Sequence, residues 1–290
     1  MRSDEAKKLF VKTVDSLCGR RNRWEVWKDM IWMFATTISN AVDAEYREKR
    51  EKQFLDIAKH YSEAEMTTFS ELFAQLVMIF EHGERMGFRD FLGELYMELG
   101  LGNDAGGQFF TPYDVCRCMA EMTMQEDDVK GKIEQQGYIS INDCACGAGA
   151  TLIAAADIMI TKYKINYQQT ALFIAQDIDY TTALMCYIQL SLLGCAGYVH
   201  VGNTLTDPMT GHVLFGDRKD TTWYTPLYFA PIWDMRRQLV VLRGLFGQTE
   251  KTETDVPVEP AKPAEPEPTI IQVSGKQAKR KPKGQLMFEI

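Results

Sequence analysis

Apolar and polar positions follow two different periods along this chain, and the change falls near residue 105. Before it, apolar residues step by three and four. Trp24, Trp27, Ile31, Phe34 and Ile38 predict an amphipathic helix with an aromatic stripe, which reads as a buried helix face rather than a cofactor box. Thr68-x-x-Glu71 has the spacing of a capping box and predicts the start of a helix carrying Phe69, Leu72, Phe73, Leu76 and Ile79. A further helix is expected from Arg89 to Leu99, stopped by Gly100. Asp43 to Lys52 alternates in charge sign, as a solvated helix face does, and Arg20, Arg21 and Arg23 read as loop arginines with phosphate contact as the alternative. The expectation for residues 1–104 is a small helical bundle.

From residue 105 onward, short apolar runs alternate with helical stretches. Thr111 as N-cap, Pro112 at the first helical position and Asp114 in the first turn predict a helix through Val115, Met119 and Met122. Tyr138, Ile139 and Ile141 then read as a short buried strand that breaks at Asn142-Asp143, followed by Gly147, Ala148 and Gly149 and an alanine-rich helix from Ala150 to Met159. Strand, glycine turn and helix bring backbone N–H groups and a helix N-terminus up to a ligand, because glycine permits positive φ and close approach. Ala171 to Ala175 is a second strand, ended by Gln176-Asp177, with a helix from Tyr180 to Leu193. An acidic residue in that place accepts hydrogen bonds from ribose hydroxyls or caps the next helix. Tyr198 to Val201 is a third strand, ending at Gly202-Asn203. Three strands separated by helices predict an α/β fold with a parallel, doubly wound, Rossmann-like sheet, and they place the ligand residues at the carboxyl ends of the strands. Beyond Asn203 the pattern weakens: turns at Asp207-Pro208 and Gly211, a loop at 216–220, an aromatic strand from Trp223 to Phe229 and a surface helix from Trp233 to Phe246.

Composition narrows the function classes. Hydrophobic residues make up 46% and charged residues 25%, so a soluble globular chain is expected over residues 1–246. No apolar run is long enough to span a membrane, the N-terminus shows no secretory apolar segment, and seven cysteines are read as free thiols in a reducing cytoplasm. A net charge of −8 means that any DNA contact needs a local basic patch or a partner's charge. Cys116-x-Cys118 and Cys144-x-Cys146 are too closely spaced for structural zinc and lack companion histidines, so no metal is assigned.

Four motifs share one order and spacing: GQFFTP at 107–112, DCACGAG at 143–149, AQDID at 175–179 and GNTL at 202–205. Over residues 20–208 the chain resembles the methylase subunit of type I restriction-modification systems, N6-adenine DNA methyltransferases with a helical N-terminal domain. The resemblance implies S-adenosyl-L-methionine as cofactor. Gln108, Phe109, Phe110, Thr111, Pro112 and Tyr113 would line its methionine end. Asp143, Gly147, Ala148 and Gly149 would pass beneath it, Asp177 would hold the ribose and Asn203 would sit against the adenine. It also implies DNA as substrate, with a separate specificity subunit and a restriction subunit as partners. The family's next segment, a strand ending in Asn-Pro-Pro-Phe or Tyr that holds the flipped adenine, has no counterpart here. Asp207-Pro208 offers an acid and a proline, and Tyr228-Phe229 offers aromatics, as the candidates nearest to it. The chain after Asn203 is too short for the rest of such a sheet, so a cofactor half without its catalytic half is expected, and the alternative to an active methylase is an inactive relative that binds cofactor or partner. A small-molecule methyltransferase is a third reading, disfavoured by GQFFTP.

From Gly247 the sequence turns to Pro, Glu, Thr and Lys, which offer little apolar area to offset chain entropy. A chain ending at Gln248 is therefore expected to melt within a few degrees of the full-length protein. A large fall in melting temperature would show that the Leu286-Met287-Phe288 end contributes to the fold.

Overall fold

The computed structural model describes residues 3–19, 21–81, 88–102 and 110–246. Arg20, Gln108, Phe109 and all of 247–290 lie outside the described residues. The described residues up to Leu245 cluster as one compact unit.

The N-terminal half is helical: α1 (Ser3–Cys18), α2 (Arg23–Val42), α3 (Arg47–Ala58), α4 (Glu63–Glu81) and α5 (Phe91–Glu98). The side chain of Asn22 caps α2 by accepting from Trp24 N at 2.9 Å. Trp27, Ile31, Phe34 and Ile38 are buried along one face as the spacing predicts, but Trp24 stands exposed at the helix start with the Lys28 ammonium over its ring. The capping box falls elsewhere than predicted. Ser62 N donates to Glu65 Oε2 at 2.7 Å and Glu65 N to Ser62 Oγ at 3.3 Å, whereas Thr68 Oγ1 bonds to Ala64 O inside α4. Both pairs have the right spacing, and the upstream one prevails because it adds more than a turn of backbone hydrogen bonds to the helix.

The charged run 43–52 is not wholly solvated. Asp43 and Arg50 are each 2% exposed and pair at 3.0 Å. Arg50 also donates to Ser39 Oγ and Thr222 O and lies 4.0 Å over the Trp223 ring. A buried ion pair needs further polar partners, and here Ser39 of α2 and a strand of the α/β half each supply one to the guanidinium. Arg21 and Arg23 pair with Glu65 and Asp15, so neither presents a free guanidinium for phosphate.

After α6 (Tyr113–Thr123) and α7 (Glu126–Gln136), the α/β half runs β1 (Ile139–Asp143), α8 (Ala150–Asp157), the short α9 (Tyr167–Thr170), β2 (Ala171–Asp177), α10 (Tyr180–Leu192), β3 (Ala196–Val201), β4 (Thr222–Tyr224) and α11 (Pro231–Phe246). The sheet order is β1-β2-β3-β4, with the first three strands parallel. β4 pairs antiparallel with β3, because a loop without a crossover helix joins them. The expected aromatic strand is thus only three residues long and passes into a 3₁₀ turn at Pro226–Phe229. Among the described residues the strand order never reverses, so the sheet there is a small mixed one and the expected doubly wound arrangement is not seen. β2 and β3 are buried almost throughout, whereas Ser140 and Asn142 of β1 are exposed, as befits an edge.

One hydrophobic cluster extends from α1 through α2 and α5 to α8, α10 and one face of the sheet. A second, holding Leu172, Tyr198, Tyr224, Tyr228 and Trp233, covers the other face beneath α11. Within the first cluster the two halves are tied by polar groups. Gln189 of α10 donates from Nε2 to Asp90 Oδ1 at 2.7 Å and to Ala148 O at 2.8 Å, and its Oε1 accepts from Leu92 N at 3.0 Å. Asp90 Oδ1 also accepts from Gly93 N and so caps α5.

Burial pushes the Asp90 carboxyl up from 3.8 to about 6, against the opposing pull of Gln189 and Gly93. The folded chain therefore binds an extra proton between those values, and this group's contribution to stability falls as pH rises from about 4 to about 6. The loss amounts to roughly 3 kcal/mol. Asp90→Asn keeps an oxygen acceptor for Gln189 and Gly93 and should remove that part of the pH dependence. Denaturant titrations at several pH values check it: parallel stability profiles for the two proteins would contradict the assignment.

Candidate functional site

The carboxyl ends of β1, β2 and β3 converge on one loop. After β1 the chain turns through Cys144 to Gly149, with Gly147 at φ +53° and Gly149 at φ +98°. A side chain at Gly149 would meet Cys186 Sγ at 2.8 Å and one at Gly147 would press on the Phe110 ring at 3.3 Å, so φ favours glycine at both positions and space favours it most at Gly149. Asp143 braces the turn: Oδ1 accepts from Ala145 N at 3.0 Å and Oδ2 accepts from the Thr151 hydroxyl. Cys146 N donates across to Gln176 O at 2.9 Å. Gly149 is the N-cap of α8 and has no side chain to offer, so the first N–H groups of that helix carry no side-chain cap. An uncapped helix start beside a glycine turn suits a ligand's anionic or polar group.

Asp177 closes the loop from the neighbouring strand. Its Oδ2 accepts from Gly147 N at 2.8 Å, and Oδ1 accepts from Asp179 N at 2.9 Å and Thr182 Oγ1 at 3.3 Å. The helix-cap role falls to Asp179, whose Oδ1 accepts from Thr182 N at 2.8 Å. Asp177 is only half-buried, and a carboxylate has lone pairs beyond these three bonds, so it retains capacity for a ligand hydroxyl. Gly202 N donates to Asp177 O at 2.9 Å, which brings the end of β3 alongside. Asn203 then forms an Asx turn, its Oδ1 accepting from Leu205 N at 2.9 Å, and Thr204 Oγ1 reaches back to Cys144 O.

Asp143, Gly147, Ala148, Gly149, Asp177 and Asn203 are therefore brought together as the sequence predicts. Phe110 joins them: its ring lies against Gly147 and stacks on Tyr96 at 5.6 Å. Gln108 and Phe109 fall outside the described residues. Thr111 is not the N-cap. α6 begins at Tyr113 with Pro112 in the cap position, whose ring fixes φ and whose extended ψ of 140° turns the chain into the helix. The Tyr113 hydroxyl donates to Asp157 Oδ2 at 3.1 Å.

Ile178 and Leu205, unmarked in the sequence reading, are 68% and 90% exposed immediately beyond Asp177 and Asn203. Each stands in water beside a polar strand end. The signal was an apolar residue inside each otherwise polar strand-end loop.

Of the candidates for an acceptor site, Asp207 lies at these strand ends, its N donating to Asn203 O at 2.7 Å and its O accepting from Gln176 Nε2 at 2.8 Å. Its carboxylate is already engaged: Oδ1 accepts from Lys219 Nζ at 2.6 Å, and Oδ2 lies 3.0 Å from Nε2 of the buried His200. Lys219 first and His200 second hold its carboxyl below the usual range. Pro208 beside it is exposed. Tyr228 is fully buried, donating to Leu214 O at 2.9 Å, and with Phe229 it belongs to the cluster beneath α11, near Gly197 at the amino end of β3. The distance along the sheet separates these aromatics from Gly147 and Asp177.

The cysteines divide as i and i+2 positions should: Cys116 and Cys146 are buried, Cys118 and Cys144 exposed. Burial pushes the Cys116 thiol up to about 11, and Cys146, hydrogen-bonded with Cys186 and buried, is raised well above its ordinary value. Among the described residues no three His, Cys, Asp or Glu side chains cluster as a metal site, and no helix is long and apolar enough to cross a membrane.

Residues 89–249, more than half of the chain, match the family model of N-6 DNA methylases. The match begins beside Asp90 and takes in the glycine loop, Asp177 and Asn203. No curated protein and no solved structure matches the chain. On the extent of that match, this chain belongs to the N-6 DNA methylase family.

Proposed function

We propose that the chain binds S-adenosyl-L-methionine at the carboxyl ends of β1, β2 and β3, as a type I methylase-like protein of adenine-N6 DNA methylation. Family membership points to DNA as substrate. The finer reading adds a specificity subunit to select the DNA, a restriction subunit as a further partner and the cytoplasm as location. Residues 105–246 would be the cofactor domain, 1–104 its helical companion and 247–290 a tail. The observation that carries the reading is Asp177: one carboxylate ties the glycine loop through Gly147 N and stands within one strand end of Asn203. The residues present fit the group, since a Cβ-free turn, uncapped helix N–H groups and a half-free carboxylate match its carboxylate and ribose. Ile178 and Leu205 supply an apolar surface for its base.

When bound, the cofactor supplies an electrophilic sulfonium methyl. The protein's part is to orient it. Gly147 and Gly149 let the backbone approach, Asp143 keeps the turn rigid through Ala145 N and Thr151, and Gln189 holds Ala148 O from behind. Asp177→Ala should weaken S-adenosyl-L-methionine binding by roughly ten- to a hundredfold, the worth of about 1.5–3 kcal/mol for a charge-assisted hydrogen bond. Asp177→Asn, which keeps one acceptor oxygen, should fall between. Calorimetry on variants with unchanged circular dichroism decides it, and unaltered affinity in Asp177→Ala would remove the ribose assignment.

A second reading, a cofactor-binding relative with little transferase activity, is favoured by the acceptor candidates. Asp207 is spent on Lys219 and His200, and Tyr228 is sealed in a core at the other end of β3. Without acceptors on the adenine amino group its lone pair stays delocalised, and without an aromatic platform the unstacking cost of a few kcal/mol is uncompensated. The isolated chain is thus expected to transfer little or no tritiated methyl to unmethylated DNA while still binding the cofactor. Robust N6-methyladenine formation, lost in a folded Asp207→Asn variant, would overturn this and locate the acceptor site.

A further inference from the structure

His200 of β3 is fully buried, and both of its ring nitrogens have polar partners. Nδ1 lies 2.9 Å from the Thr222 hydroxyl on β4, and Nε2 lies 3.0 Å from Asp207 Oδ2 in the loop after β3. The hydrogens along this line of contacts can be counted. Thr222 has one hydroxyl hydrogen, and it goes to Asp217 O at 2.9 Å, because a carbonyl oxygen only accepts. The Thr222 oxygen therefore accepts from Nδ1, which must carry a hydrogen. Lys219 first and His200 second hold the Asp207 carboxyl below the usual range, so it is ionised and also only accepts. Nε2 must then carry a hydrogen as well. A neutral imidazole has one N–H, and two are needed here.

The surroundings fit a charged ring. The charged groups on this side come from the loop between β3 and β4: Asp207, its partner Lys219 at 2.6 Å, and Asp217, whose Oδ2 lies 3.9 Å from Lys219 Nζ. Two carboxylates thus balance one ammonium and one imidazolium, whereas a neutral His200 would leave an uncompensated negative charge against a buried ring. β2 and β4 present the neutral Gln176 and Thr222 here. The Asp177 carboxylate at the end of β2 turns instead to Gly147 N, Asp179 N and Thr182. Arg218 of the same loop turns to Glu45 and the Tyr224 ring.

The loop that carries Asn203 is built around this ring. A side chain at Gly202 would meet His200 Nε2 at 2.7 Å, so the backbone passes directly over the imidazole. Asp207 N donates to Asn203 O at 2.7 Å, and Asp207 O accepts from Gln176 Nε2 at 2.8 Å, so residues 202–207 close on the carboxylate that His200 holds. We infer that His200 is a doubly protonated positioning residue, whose imidazolium pins Asp207 and through it the Asn203 turn at the carboxyl end of β3. That this turn serves the cofactor rests on the function proposed above; the count of hydrogens does not. Loss of the proton leaves either Asp207 or Thr222 without its hydrogen and loosens the turn.

In the ¹⁵N-labelled full-length chain at about pH 7, both ring nitrogens of His200, identified by their absence in His200→Gln, should carry hydrogen. A ring with a single N–H would overturn the inference. Asp207→Asn, at the half-exposed partner, removes the paired charge and should return His200 to one N–H; a ring still doubly protonated there would equally contradict it. His200→Gln keeps a donor for Asp207 without the charge. It should bind S-adenosyl-L-methionine about tenfold more weakly at about pH 7, with circular dichroism unchanged. The native chain should lose a similar factor by about pH 9, as the proton leaves, and His200→Gln should not. Equal affinities with parallel pH profiles would remove the positioning role. If neither protein binds the cofactor, the function proposed above fails by itself. His200 is then judged by its ring nitrogens and by the Asn203 amide, which should shift with pH in the native chain and stay fixed in His200→Gln.

Discussion

Gln189 is a neutral side chain without access to water, and its three hydrogen bonds reach three separate parts of the fold. It donates to the Asp90 carboxylate at the head of α5, donates to the carbonyl of Ala148 in the glycine loop, and accepts from Leu92 N. Burying an amide is unfavourable unless its donors and acceptor are all engaged, so each partner is held where Gln189 needs it. The helical half and the sheet are thereby fixed to one another at the point where the glycine turn must keep its shape. Asp177 completes the arrangement from the ligand side through Gly147 N. The turn is gripped at adjacent residues, from behind by an amide and from the front by a carboxylate, with Phe110 laid over Gly147.

The same economy of polar groups limits what the site does. Asp207 stands near the strand ends but serves the loop between β3 and β4, where it joins Lys219 to His200. His200 is itself held to Thr222 through Nδ1 at 2.9 Å, so the acid, the imidazole and the lysine stabilise the turn back into β4. β1 carries exposed Ser140 and Asn142 and has no strand on its outer edge among the described residues. In a doubly wound sheet the strand order reverses at that edge, and ligands bind in the crevice it creates. The described residues supply one side of such a crevice.

Much of this was legible in the sequence because it rests on local rules. The strand–glycine–helix unit at 139–157 follows from an apolar run, two glycines and an alanine-rich stretch, and β2 and β3 follow from the same alternation. Asp177 and Asn203 could be placed because they end those strands. What the sequence hid depends on distant partners. The burial of Arg50 and Asp43 needs the carbonyl of Thr222, 172 residues away, and no charge pattern reveals it. The antiparallel direction of β4 depends on how the loop after β3 folds back around His200 and Asp207. Ser62-Glu65 and Thr68-Glu71 satisfy the same capping rule, and only the extent of α4 separates them. Ile178 and Leu205 drew no notice because a lone exposed apolar residue carries no periodicity.

The central claim is that the loop held between Gln189 and Asp177 receives S-adenosyl-L-methionine. The most direct test is a titration of the full-length chain with that cofactor, without DNA, followed by the backbone amide resonances of Gly147, Gly149 and Asn203. The account predicts saturable shifts at all three that fit a single dissociation constant. Amides that stay unmoved at millimolar cofactor would contradict it.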